Sequence, residues 1–234
     1  MSTLQTVRQA MLCAAAVLLA SASIAKAQAQ IEVTPFAGYY IASDIYNTYS
    51  TVNPGTSTVE LTNSGLWGVK VAAVGFRGGL EFSYTRTGSD IKINHPLQGQ
   101  PPRGTIGRLE LDSYDINFIG YQPTGNPRAV PYGIVGFGWT VTHPDVDSDF
   151  LDVGGPQPDS NTLFNFNFGL GFKLAMNERL STRIEGRWRV TDTHLTTDAG
   201  YWCDPYGYCY SYATDWYNSG ELLAGFSFVL GGRH

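Results

Sequence analysis

The sequence predicts an all-β fold: an eight-stranded antiparallel up-and-down transmembrane β-barrel with long outer loops and short periplasmic turns. Three observations lead there. First, Leu163–Val190 reads as two strands joined by a tight turn. Phe164, Phe166, Phe168, Leu170, Phe172 and Leu174 alternate with Asn165, Asn167, Gly169, Gly171 and Lys173. After Ala175–Arg179, Leu180, Thr182, Ile184, Gly186, Trp188 and Val190 alternate with Ser181, Arg183, Glu185, Arg187 and Arg189. Strand side chains point to opposite faces with period two, so each strand has one apolar and one polar face. Each run matches the roughly 9–11 residues that a tilted strand needs to cross a bilayer. Second, connection lengths alternate strictly between long and short. Third, the chain after residue 27 contains no run of about 18 apolar residues that would make a membrane helix. A closed barrel is the other backbone that satisfies every N–H and C=O inside lipid.

The elements follow in order. Arg8, the apolar run Met11–Ala20 and the Ala25-Lys26-Ala27 site form an export signal, so residues 1–27 are expected to be removed and 28–234 to form one barrel domain. Cys13 precedes most of the apolar run and follows bulky Leu12, which does not suit a lipoprotein cysteine. The expected strands are Ile31–Ala42, Gly65–Arg77, Leu80–Thr87, Ile106–Tyr121, Ala129–Thr142, Thr162–Leu174, Leu180–Thr193 and Trp216–Leu230. Long connections run over Ser43–Ser64, Gly88–Thr105, His143–Asn161 and His194–Asp215, and the others are short. An up-and-down barrel with long outer loops and both termini in the periplasm produces this rhythm.

A soluble lipocalin-like barrel would also alternate, with apolar residues inward. The loop rhythm favours lipid outside. So do glycines on the polar face (Gly169, Gly171, Gly225), which leave room for Arg and Glu. Aromatics near strand ends, Tyr39, Trp67, Tyr121, Tyr132, Trp139, Trp188 and Trp216, suit interface girdles. The lipid-facing set is then Phe164, Phe166, Phe168, Leu170, Phe172 and Trp188. Strand four breaks parity: Leu109 and Leu111 share one face, Tyr114, Ile116 and Phe118 the other. A bulge near Asp112-Ser113, or a position of the two leucines beyond the bilayer, would reconcile them.

Several segments resemble small outer-membrane β-barrel proteins of the OmpA/OmpX-like type. They are Thr34-Pro35-Phe36-Ala37-Gly38-Tyr39, Val130–Gly138, Asn167–Phe172 and Leu180–Trp188. The resemblance implies insertion by barrel-assembly machinery. Members often end on an aromatic residue, whereas here Phe226-Ser227-Phe228-Val229-Leu230 is followed by Gly231-Gly232-Arg233-His234.

Loss of Arg8 and Lys26 with the signal leaves 13 basic against 20 acidic residues, a net charge of −7. Nucleic-acid binding would want a basic patch, so no nucleic-acid partner is expected. The polar face carries Glu32, Lys70, Glu81, Glu110, Lys173, Arg183, Glu185, Arg187, Arg189 and Glu221. An eight-stranded barrel is just wide enough inside to be filled by side chains. Charges taken out of water must pair, so Lys173, Arg183, Glu185, Arg187, Arg189 and Glu221 are expected to form a lumenal charge network. Such a network plugs the barrel or lines a narrow conduit for small solutes.

Cys203 and Cys209 lie in Cys-Asp-Pro-Tyr-Gly-Tyr-Cys, which in an oxidising envelope reads as a local disulfide. A zinc site with His194 lacks a fourth ligand and the usual spacing. Asp145-Val146-Asp147-Ser148-Asp149 fails as a calcium loop, because its sixth and twelfth positions are Phe150 and Pro156. No metal or cofactor is expected. A lipid A-modifying enzyme would need Ser, His and a carboxylate at the outer interface. His194 lies at the outer end of strand seven near Asp192, with Ser211 and Ser219 further along the chain, yet no spacing sets a serine beside it. Tyr46, Tyr49, Tyr201, Tyr206, Tyr208, Tyr210, Tyr212 and Tyr217 make the loops candidate surfaces for an extracellular ligand. The expectation is a non-enzymatic outer-membrane barrel, in contact with membrane lipid, with a structural or surface-interaction role.

Overall fold

The computed structural model describes residues 30–50, 56–75, 77–94, 104–122, 124, 128–146, 160–192, 202–203, 208–210 and 216–230. The signal segment, His194 and the Asp147–Asp152 stretch lie outside them. Twelve strands occur among the described residues: β1 (Gln30–Ile41), β2 (Asp44–Ser50), β3 (Thr56–Leu61), β4 (Ser64–Val74), β5 (Gly78–Asn94), β6 (Gly104–Tyr121), β7 (Ala129–Val146), β8 (Asn161–Ala175), β9 (Leu180–Asp192), β10 (Trp202–Cys203), β11 (Tyr208–Tyr210) and β12 (Trp216–Leu230). No described helix is long and apolar enough to cross a membrane.

Eight of these strands close the wall in the order β1-β4-β5-β6-β7-β8-β9-β12, and β12 pairs back onto β1. Direct partners can be followed once round, from Ile31 through Ala73, Leu80, Phe118, Val135, Phe168, Trp188 and Gly220 to Ile41. The path returns to β1 ten residues further on. That stagger is what tilts the strands of a closed barrel.

The short turns close by local hydrogen bonds. Gly75 N–H donates to the Gly78 carbonyl at 2.8 Å. Asn177 Oδ1 accepts from the N–H groups of Arg179 and Leu180 at 2.9 and 2.8 Å. An Asn that bonds its own following backbone in this way is a turn former.

The long connections hold structure that alternation does not announce. β5 runs seven residues past the expected Thr87, to Asn94. Where β4 has ended, β3 takes the next place beside β5, then β2, β11 and β10 follow. This repeats the order β4, β1, β12, β9 of the wall below, so an outer tier prolongs the barrel upward. Its junction is pinned by Thr62 N–H to the Asp90 carbonyl (2.9 Å), Asp90 N–H to Thr62 Oγ1 (3.0 Å) and Ala42 N–H to Asn63 Oδ1 (3.0 Å).

The parity break in strand four has a simple cause. β6 pairs in unbroken register with β5 from Leu109 to Gly120 and with β7 throughout, so there is no bulge at Asp112-Ser113. Leu109 and Leu111 point inward with Ser113, Asp115 and Asn117. They join an apolar cluster of Phe36, Tyr40, Leu61, Leu66, Tyr217 and Leu223 towards the outer end of the lumen. A second cluster, Ala72, Val74, Ile119, Tyr132 and Ile134 with Tyr121, lies towards the periplasmic end.

The girdle expectation needs a matching correction. Tyr39, Trp67, Trp139, Trp188 and Trp216 point outward and are exposed. Tyr132 is only 3 % exposed and points inward, as does Tyr121. Tyr84 and Tyr114 join the outer belt instead, their rings tilted to each other with centroids 5.3 Å apart, and Trp67 lies edge-on to Tyr84 at 6.1 Å. The outward Trp and Tyr residues therefore mark the outer boundary.

Leu170 stands near mid-height of β8, outward and 75 % exposed. Leu170→Arg is expected to lower stability in lipid by roughly 2–4 kcal/mol. Met176→Arg, in the periplasmic turn, is expected to change it by less than about 1 kcal/mol. Urea titration in vesicles reads both.

Candidate functional site

Inward parity on β1, β4, β5, β6, β8, β9 and β12 brings five cations and five carboxylates into one lumen: Lys70, Lys173, Arg183, Arg187 and Arg189 against Glu32, Glu81, Asp115, Glu185 and Glu221. β9 supplies four of them at alternate positions. Its Arg183, Glu185, Arg187 and Arg189 stand one above another as the pleat requires.

Glu185 is the hub. Both its oxygens accept from Lys70 Nζ at 2.8 Å, and it takes further bonds from Arg187 (2.9 and 3.2 Å) and Tyr132 Oη (2.8 Å). Below it, Arg183 donates to Glu81 at 2.6 Å and lies 4.7 Å over the Tyr132 ring. Above it, Arg187 reaches Asp115 at 3.2 Å, and Arg189 grips both Asp115 oxygens at 2.7 and 3.0 Å and Glu221 at 2.9 Å. Lys173 stands apart from this chain, paired with Glu32 and over the Tyr121 ring at 5.6 Å. Side chains from Lys70 through Arg189 in the chain of pairs are at most 4 % exposed.

Such a chain of pairs holds only because the charges cancel and each of its ions has more than one partner, whereas Glu32 has Lys173 and a buried Oε2 without a hydrogen-bond partner; a lone buried ion is very costly. Glycines make the room. A Cβ on Gly171 would meet the Tyr132 ring at 2.5 Å, and one on Gly68 the Phe36 ring at 2.5 Å. Buried amide and hydroxyl atoms of Asn117, Asn165, Asn167, Ser83 and Thr85 without a protein partner line the same interior.

Sequence reasoning placed Lys173, Arg183, Glu185, Arg187, Arg189 and Glu221 on one face, and the structure puts all six inward. It missed Asp115, which holds two arginines, because the leucines of strand four obscured that strand's parity. Glu110, expected inward, points outward and pairs with Arg86. Phe166, Phe168, Leu170, Phe172 and Trp188 point outward and are exposed. Phe164 is outward and partly covered by Phe166, at 4.8 Å, and Trp139, at 6.4 Å. Cys203 and Cys209 stand directly opposite each other across β10 and β11. Among the described residues no group of three or more His, Cys, Asp or Glu is arranged to hold a metal.

The family described as "Outer membrane protein beta-barrel domain" matches residues 13–226. The chain belongs to that family. Among solved structures, the outer membrane protein OprG from Pseudomonas aeruginosa is similar in fold. Its TM-score is 0.62 at 11 % identity, covering 87 % of this chain and 97 % of that one. Neisserial surface protein A is similar with a TM-score of 0.50 at 16 % identity, covering 86 % and 97 %. No curated protein matches the sequence. At these identities the likeness is one of fold, and membership makes the chain an outer-membrane barrel.

Arg187→Met would leave Glu185 and Asp115 each short of a partner inside the lumen. It is expected to destabilise the barrel by about 3–5 kcal/mol, the range for breaking a buried pair from one side. Arg187→Lys, which keeps the charge and loses the fork, should cost less. Equilibrium unfolding of the two variants in the same lipid compares them.

Proposed function

We propose that this barrel is a closed, non-conducting anchor in the outer membrane, and that its interaction role lies in the outer tier. The lumenal ion network carries this reading. Its members are almost entirely shut off from solvent, and apolar clusters flank it towards both ends. A conduit for small solutes needs hydrated charge along an open path, whereas these charges are spent on one another.

The outer tier suits contact with another surface. β2 carries Tyr46 and Tyr49, β11 carries Tyr208 and Tyr210, and β10 carries Trp202. Tyr and Trp give large amphipathic contact area at small entropic cost. Directly opposed residues of an antiparallel pair have Cα atoms about 4.5–5.5 Å apart, within reach of a disulfide. A Cys203–Cys209 bond would therefore clamp β10 to β11 in the tier's outermost strand pair.

Reconstituted in planar bilayers, the barrel is expected to show no single-channel conductance. Steps that change in size with Arg187→Met would mean that the lumen conducts. The unreduced mature protein is expected to be lighter by two hydrogens than its reduced form and to resist thiol alkylation at Cys203 and Cys209. Two free thiols after export would remove the clamp.

A further inference from the structure

On the outward face, at the upper edge of the aromatic belt, three side chains from neighbouring strands converge. His143, near the top of β7, places Nδ1 3.5 Å from Oγ of Ser160, the residue before β8. Its Nε2 lies 3.6 Å from Oδ2 of Asp112 on β6. The two contacts use the two different ring nitrogens, so one imidazole links a hydroxyl to a carboxylate. Contacts between nucleophile and base are often this loose before substrate arrives.

The surroundings hold each member in place. Tyr84 Oη donates to Asp112 Oδ1 at 2.8 Å, which leaves Oδ2 turned to His143. Thr142 and Asn161 are the last direct partners of β7 and β8. The Thr142 hydroxyl accepts from Asn161 N–H at 3.1 Å and donates to the Asn161 carbonyl at 3.2 Å. That double bond fixes the backbone one residue from His143 and one residue from Ser160. It sets beside each other two residues separated by the whole third outer loop.

We propose that Ser160, His143 and Asp112 form a hydrolytic centre for fatty-acyl esters of outer-leaflet lipid. His143 takes the Ser160 proton as Oγ bonds to the ester carbonyl carbon. The bond from that carbon to the lipid alcohol oxygen then breaks, and His143 returns the proton to the leaving oxygen. Water, deprotonated by the same imidazole, attacks the acyl-serine, frees the fatty acid and restores Ser160. Asp112 is a positioning residue that holds the ring.

Location selects the substrate class. Ester bonds of membrane lipids lie between acyl chains and headgroups, the level at which Trp and Tyr belts sit. Below the site, Trp139, Phe164 and Phe166 pack edge to face and offer a wall for an acyl chain. Beside and above it stand Arg86, paired with Glu110 and 3.9 Å from Asp112 Oδ1, and exposed Arg108, cations suited to a phosphate-bearing headgroup. This activity goes beyond the anchoring role and leaves the closed lumen untouched.

The test uses the full mature barrel, refolded in detergent and checked for its folded form by gel mobility before and after heating. A fluorophosphonate probe is expected to label Ser160, as read by peptide mass spectrometry. Fatty acid is expected from vesicles of phosphatidylethanolamine or of lipopolysaccharide, run as separate arms that tell which lipid supplies the ester. Ser160→Ala and His143→Gln should each lower release by about 100-fold or more. Asp112→Asn should lower kcat while KM holds. A folded barrel with Ser160 unlabelled, no fatty acid from either lipid, or release by Ser160→Ala at the unmodified rate would each overturn the proposal.

Discussion

The constraint on which this molecule depends is charge neutrality inside a narrow, closed wall. Eight strands enclose an interior that side chains fill. Once Arg183, Arg187 and Arg189 rise in one row along β9, other strands of the wall must answer with carboxylates at matching heights. Glu81 on β5, Asp115 on β6 and Glu221 on β12 do so, with Glu185 as the shared acceptor. The rest follows from that demand. Glycines thin the wall where Tyr132 and Phe36 swing inward, and neutral Asn and Ser groups occupy the remaining polar space.

The same demand limits what the lumen can do. In the proposed reading, a carboxylate that accepts from two or three cations is not available to move a permeant ion, and the apolar clusters towards both ends keep water from screening the pairs. Stability and closure therefore come from one interaction. It leaves the outward rim and the outer tier as the surfaces free to act on anything outside the protein.

Much of the fold was legible because a period of two is hard to hide. Phe164–Phe172 and Leu180–Val190 alternate cleanly, and all eight wall strands stand close to where the alternation puts them. Legibility failed where one residue type serves two places. Tyr132 and Tyr121 read as girdle residues, yet Tyr132 donates to Glu185 and Tyr121 lies under Lys173. Leu111 broke the parity of its strand for the same reason, since an apolar residue also suits the lumen's outer cluster. The short strands of the outer tier gave no signal, being only two to seven residues long and too short to display a period. The meeting of His143, Ser160 and Asp112 is set by register across three strands and has no spacing in the sequence. Short polar strands and cross-strand encounters are matters of pairing, which residue type alone does not encode.

The most direct test of the closed, neutral lumen is the exchange of arginine side-chain Nε–H protons with water, followed by NMR in micelles. The account predicts slow exchange for Arg183, Arg187 and Arg189, well separated from exposed Arg108 and Arg179. Exchange of the three lumenal arginines at the rate of the exposed ones would contradict it.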